Sequence, residues 1–263
     1  MIRHKQVVVN YLKYRVLSSH RRGHGIHSPF VFNLVTGVFR NKTDPDIVCS
    51  VEKLRKKMLA DTRKLQVTDY GSGSVQIKGN LRKISSIARY SSVPQKYGKL
   101  LAQLAAEFGG KDIIELGTSL GISTLYLSAL TKARVHTIEG SSALAETAAG
   151  YFREAGRDNI IQHTGKFDDV LTCLKEMRIT PGLVFIDGDH RKDALIRYFS
   201  TAAGMCSSAG VVVIDDIHHS PEMNEAWKEI RMMRNVSITV DICRMGIVFF
   251  RTGIAKYDYT IRY

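Results

Sequence analysis

Five short apolar runs from residue 112 onward constrain this chain more than any other feature. They are DIIELG (112–117), ARVHTIEG (133–140), NIIQHTG (159–165), GLVFIDGD (182–189) and GVVVIDDI (210–217). Between them lie segments such as ISTLYLSALTK, SALAETAAGYFREAG and DALIRYFSTAAGM, whose apolar residues fall at helical spacing. Strand–helix alternation of this kind predicts a parallel sheet covered by helices on both faces. The habit then changes. After a helix expected from Pro221 (PEMNEAWKEIRMM), VSITVDIC and GIVFFRTG follow with only RM between them. A parallel crossover needs on the order of a dozen residues, so this pair must be antiparallel. The fold class expected is α/β, a parallel sheet that ends in an antiparallel strand.

Residues 1–92 read differently. PFVFNLVTGVFR, DIVCSVEKLRKKMLADTRKL and GNLRKISSIARYSS carry helical patterns, and no strand series is evident. We therefore expect a mainly helical N-terminal extension or lid (1–92), a boundary near SSVPQKYG, and a second domain over 93–263. The charge divides in the same way. Residues 1–99 hold 20 Lys and Arg against 5 Asp and Glu, whereas the rest hold 18 against 20. So basic a segment suits nucleic acid, an anionic lipid surface or an acidic substrate as readily as it suits a solvated helical surface. Four scattered cysteines (Cys49, Cys173, Cys206, Cys243) form no paired spacing and suit a reducing compartment. No apolar run reaches membrane-spanning length, and the N-terminal valine run is too short for a signal peptide. A cytoplasmic protein is expected.

Two stretches compete for the role of ligand-binding turn: VTDYGSGS (67–74) and IIELGTSLGIST (113–124). A nucleoside-binding turn needs glycines for close backbone approach, a following helix, and an acid at the end of the next strand to take the ribose hydroxyls. The second stretch passes, because a helical segment and then RVHTIEG follow, placing Glu139 at a strand end. The first fails: lysines and arginines stand where the acid should be. DYGSGS is expected to be a loop near the substrate mouth. A nicotinamide site is disfavoured, since GTSLG offers Gly117 and Gly121 with Ser119 in the middle place of the dinucleotide fingerprint.

Two further strands end in acids, FIDGDH with Asp187 and Asp189, and VIDDIH with Asp215 and Asp216. Ligands in a doubly wound sheet bind beyond the carboxyl ends of the strands, so Asp187, Asp215 and Asp216 should converge there. Three close carboxylates repel unless protons or a cation relieve them. A hard divalent ion such as Mg²⁺ suits such oxygen ligands. The alternative is a metal-free site in which Asp187 lies near a cofactor and Asp215–Asp216 cap the next helix. His218 and His219 read more readily as surface or cap residues.

Taken in order, ELGTSLGIST, TIEG, FIDGDH and VIDDIH resemble class I S-adenosylmethionine-dependent methyltransferases, in particular the catechol and caffeoyl-CoA O-methyltransferase-like branch. The resemblance covers roughly residues 93–263. It implies a Rossmann-like seven-stranded sheet with the last strand antiparallel, and S-adenosyl-L-methionine as cofactor. By the same resemblance, Glu115, Gly117, Thr118, Ser119, Gly121 and Ser123 belong to the methionine end, and Glu139 with Gly140 to the ribose. Phe167 would cover the adenine, and Asp187 would lie beside the methyl donor. Asp187, Asp215 and Asp216 would hold a divalent cation that chelates the acceptor, and His190 with Asp187 would be catalytic. Three departures stand out. Asp216 replaces an amide, His190 a lysine, and Lys166 an acid. The expected activity is metal-assisted O-methylation of a small or medium hydroxylated acceptor. The alternatives are an RNA-directed methyltransferase using the basic N-terminal region and a non-catalytic S-adenosylmethionine-binding module.

Overall fold

The computed structural model describes Tyr14, Ser18, residues 25–68 and residues 79–263. Among the described residues, the N-terminal segment contains helix α1 (Pro29–Thr36), started by Pro29 and by Ser28, whose hydroxyl accepts from the Val31 amide. Helix α2 (Pro45–Ala60) begins the same way, with Asp44 as its cap. A two-stranded antiparallel ribbon follows, β1 (Lys64–Gln66) and β2 (Leu81–Lys83). This corrects the expectation of no strands in the N-terminal segment. Each strand has three residues and one half-buried position, too little for an alternating pattern to register. DYGSGS lies between them, outside the described residues. Helix α3 (Ile84–Ser91) completes the segment, and α4 (Gln95–Phe108) beyond the boundary leads into the sheet.

The five apolar runs become β3 (Asp112–Leu116), β4 (Arg134–Glu139), β5 (Ile160–Thr164), β6 (Leu183–Ile186) and β7 (Val211–Ile214). All five are parallel to their neighbours within this group. The helices between them are α5 (Ile122–Leu127), α6 (Ser142–Glu154), α7 (Phe167–Glu176) and α8 (Lys192–Met205). Helix α9 (Pro221–Met232) is capped by the Ser220 hydroxyl, which accepts from the Met223 amide at 3.1 Å. Strands β8 (Ile238–Asp241) and β9 (Gly246–Phe249) pair antiparallel, as their short connection requires. The sheet has one strand more than the resemblance implied. Residues 257–260 form β10 (Tyr257–Thr260), which lies parallel beside β8 at the edge. The order is β10-β8-β9-β7-β6-β3-β4-β5.

Every residue of β3, β6 and β7 is buried, because helices cover both faces. Successive residues divide between two cores. Ile113, Phe185 and Val213 join one cluster with α1–α6, whereas Ile114, Val184 and Val212 join the other with α7–α9. Val31, Leu54 and Met58 of the N-terminal helices thus pack in the same cluster as the strands. Further ties run across position 92. The Tyr126 hydroxyl donates to Glu52 at 2.9 Å, and Arg55 donates to the Val93 carbonyl at 2.7 Å. Tyr14 reaches the C-terminal edge, where its hydroxyl donates to the Ile261 carbonyl (2.7 Å) and accepts from the Tyr263 amide (3.0 Å). No helix among the described residues is long and apolar enough to cross a membrane.

Gly98 of α4 offers a test of this packing. A Cβ there would stand 2.4 Å from atoms of the Tyr126 ring, which its bond to Glu52 holds in place. Gly98→Ala should therefore lower stability by about 1–3 kcal/mol through overpacking, although alanine favours a helix by roughly 1 kcal/mol. Urea unfolding followed by fluorescence of Trp227, the single tryptophan, reads the change. A variant as stable as the parent would contradict this packing.

Candidate active site

The strand order reverses between β3 and β6, and a crevice opens beyond their carboxyl ends. It holds a cavity of about 620 Å³, a size that suits a nucleoside-type ligand together with a small second molecule. The loops after β3, β4, β5, β6 and β7 all contribute to its wall, as do Arg244 and the N-terminal residues Thr68, Arg82 and Tyr90.

Gly117 follows β3 with φ of +103°, and a Cβ on it would stand 2.3 Å from the Asp187 carbonyl oxygen. Only glycine fits so close an approach. The Gly117 and Thr118 amides both donate to the Ile138 carbonyl, at 3.0 and 3.2 Å, which stitches the turn to β4. Gly121 (φ +85°) caps α5 and abuts the Phe152 ring. Ser119, Ser123 and Gly140 line the cavity. Thr118 also borders it, but its buried hydroxyl is engaged with that of Thr137 at 2.5 Å.

The two acids of this half behave differently. Glu139, at the end of β4, lines the cavity and accepts from the Ser119 amide (2.8 Å) and the Ser141 amide (2.9 Å). It stands at the strand end where an acid takes ribose hydroxyls in a nucleoside site. Glu115 is fully buried and is not part of the cavity wall. Its Oε2 accepts from Thr124 of α5 (2.5 Å) and Thr137 of β4 (2.7 Å), so it fastens the turn from beneath. Its Oε1 has no hydrogen-bond partner among the described residues. Burial pushes the Glu115 carboxyl up to about 7, opposed by the hydroxyls of Ser123, Thr124 and Thr137.

Phe167 begins α7 and meets the Tyr198 ring edge-on, 5.4 Å between centroids. A Cβ at Gly188 would fall 2.6 Å from the Phe167 ring, so the ring lies close over that backbone. Lys166 is beside it in the wall.

The other half of the cavity lies beyond β6 and β7. Asp187 is partly exposed to the cavity and His190 follows it in the wall. Burial lowers the His190 imidazole below its ordinary value, so it stands neutral near pH 7. His219 lies close by, with ring centroids 5.9 Å apart. His218 is placed elsewhere in role. Its Nδ1 pairs with Asn224 and its Nε2 with Asp241 at 2.7 Å, so it joins α9 to the end of β8. Asp189 turns to Arg191, which donates to both its oxygens at 2.6 Å.

Arg244 carries no signal in the sequence, where RM reads as a bare connection. Its Nε donates to Asp215 Oδ1 at 2.8 Å and its Nη2 to Oδ2 at 2.5 Å, while Asp216 lies 3.6 Å from Nη2. Asp215 is fully buried. Burial raises Asp187 well above the usual carboxylate range, with Asp215 and Asp216 adding to the rise and Arg244 opposing it. Burial and Asp216 raise Asp215 likewise, again against Arg244.

The cluster does not fit a divalent cation as it stands. Both oxygens of Asp215 are taken by a permanent cation, and no group of three or more His, Cys, Asp or Glu side chains among the described residues is arranged to hold a metal ion. The metal role implied for Asp187, Asp215 and Asp216 thus finds the three acids gathered around a guanidinium.

Comparison with known proteins adds to this geometry. The family model described as Methyltransferase domain matches residues 114–217. A catechol O-methyltransferase of Niastella koreensis is 35% identical over 130 residues, covering 48% of this chain and 58% of that protein. One from Mycobacterium tuberculosis is 31% identical over 129 residues, covering 48% and 57%. The chain spans less than two thirds of the length of either. Among solved structures, an O-methyltransferase from Bacillus cereus in complex with SAH has a TM-score of 0.56 at 17% identity, over 90% of this chain and 99% of that one. An SAH-bound methyltransferase from Podospora anserina reaches 0.59 at 14% identity, over 86% and 97%. These structural likenesses are of fold. They show a Rossmann-like fold, and the family match over residues 114–217 agrees with the resemblance carried by the motifs.

Proposed function

We propose that this chain is an S-adenosylmethionine-dependent methyltransferase acting on an oxygen of a small hydroxylated acceptor. One observation carries the reading: the glycine turn with Glu139 and the acceptor-side residues His190 and Asp187 line a single cavity. Gly117 and Gly121 let the turn press against the Asp187 carbonyl and the Phe152 ring, and Ser119 and Ser123 line the cavity beside them. The names of the catechol O-methyltransferase relatives support oxygen as the acceptor atom.

Bound S-adenosylmethionine would supply a methyl group activated on a sulfonium. The chain's own residues do the rest. Glu139 holds the ribose and Phe167 covers the adenine. Together they fix the donor so that acceptor and methyl meet in line. His190, neutral near pH 7, takes the acceptor's hydroxyl proton on a ring nitrogen. The crowded carboxyls favour a retained proton on Asp187, which lets it donate to the acceptor rather than repel it. Metal assistance forms no step here, because Arg244 occupies Asp215. Residues 1–92 we assign as the part that shapes acceptor access, on the strength of Thr68, Arg82 and Tyr90 in the cavity wall. Four free cysteines support a reducing, cytoplasmic setting.

Two expectations test the reading. Glu139→Ala should weaken S-adenosylhomocysteine roughly a hundredfold or more by calorimetry, since two hydrogen bonds to a charged acceptor disappear. Unchanged affinity would reject this strand end as the ribose site. For His190, a lowered pKa means that the base is available at pH 7 and is lost only as the pH falls below its depressed value. The kcat of the parent should be flat near neutrality and drop on the acid side. His190→Ala should lose about 10²–10⁴-fold together with that acid limb. A variant that keeps both rate and profile removes His190 as the base.

A further inference from the structure

The acid cluster carries its own cation. Arg244 lies in the turn between β8 and β9, which is fixed from several sides. The Cys243 amide donates to Asp241 Oδ1 at 2.8 Å, the Arg244 amide to the Ile242 carbonyl at 3.0 Å, and the Ile217 amide to the Arg244 carbonyl at 3.2 Å. The side chain reaches beneath the end of β7, where Nε and Nη2 grip the two oxygens of buried Asp215. Its guanidinium carbon stands 5.8 Å from the centre of the Tyr97 ring, a third support. The side chain is 29% exposed and forms part of the cavity wall with Asp187, His190 and Asp216. Among the described residues, Nη1 makes no hydrogen bond.

We propose that Arg244 is the resident cation of the acceptor half of the site, standing in place of a divalent metal and offering Nη1 to an acidic oxygen of the acceptor. The inference rests on the methyl-transfer reading only in calling that ligand an acceptor. Guanidinium is permanently charged, and its planar fork matches a carboxylate through two donors. A metal ion that claimed Asp215 would have to expel this fork and leave a buried cation with its partner lost. With the fork in place, the charge of buried Asp215 is balanced without a metal. The remaining amino group is a directional donor for one oxyanion, whereas a chelating metal would engage two neighbouring oxygens. The acceptor class this fits is an acidic hydroxyl, a phenol or an enol, with no requirement for a vicinal pair.

The experiment uses the full chain saturated with S-adenosylhomocysteine, in excess chelator, with 4-nitrophenol as a chromogenic phenol. Binding to the parent should bring out the phenolate absorbance at a pH where the free probe is largely protonated. Arg244→Met should lose at least tenfold in probe affinity and lose the phenolate band, while S-adenosylhomocysteine affinity changes by less than threefold. A parent that shows no band, or shows it only when Mg²⁺ or Mn²⁺ replaces the chelator, overturns the proposal. So does an Arg244→Met protein that keeps the band. Asp215 loses its partner in that variant, so Arg244→Met with Asp215→Asn provides a charge-balanced second form for which the same loss is expected. A separate titration with Mn²⁺, read from the free-ion electron paramagnetic resonance signal, should show no binding to the parent that Asp187→Asn removes. Finding such binding also overturns it. Failure of cofactor binding in calorimetry would instead strike the methyl-transfer reading, which keeps the two outcomes apart.

Discussion

The end of β3 is pressed against the end of β6, with the Gly117 backbone lying where any side chain would collide with the Asp187 carbonyl. Both strands sit in the middle of the sheet, and the chain leaves them toward opposite faces, because α5 packs in one core and α8 in the other. A gap must therefore open above that contact. The turn from β3 reaches Glu139, and the turn from β6 carries Asp187 and His190. One backbone approach thus sets the spacing between the half that would bind a nucleoside and the half that would hold an acceptor. Glu115 secures the arrangement from below by joining α5 to β4 through two threonines.

Much of this was legible in the sequence, for reasons that differ by element. Strands β3, β6 and β7 announce themselves because both faces are buried, which demands unbroken apolar runs. The antiparallel pair follows from chain length alone. Strand β10 did not show, since its residues are exposed or half-buried and an edge strand needs no apolar run. Glu139 could be found by its place after a strand. The work of Glu115 could not, because its partners Thr124 and Thr137 belong to other elements. Arg244 was hidden for a similar reason. Its neighbours in sequence show only a short turn, and its meaning comes from Asp215, which lies far away along the chain and becomes adjacent only once β9 pairs with β7.

The N-terminal segment also changes character between sequence and structure. Its composition suggests a basic appendage, yet Val31, Leu34, Leu54 and Met58 supply part of the core against one face of the sheet. Some of its charges are spent on internal ties. Arg55 bonds to Glu52 and to the Val93 carbonyl, and Lys57 meets Glu154 of α6 at 2.6 Å. The latter pair is exposed and contributes little to stability. The apolar burial carries the attachment, so this segment belongs to the architecture of the cavity and not merely to its surroundings.

Tyr14 draws out a consequence for how the chain is made. Its hydroxyl sits between the Ile261 carbonyl and the Tyr263 amide, a contact separated by nearly the whole sequence. No contact of such span can form on a ribosome until the last of those residues has emerged, and closing so long a loop is entropically slow. The clasp is therefore a late event: Tyr14 can dock only after residues 261 and 263 are in place at the edge of the sheet.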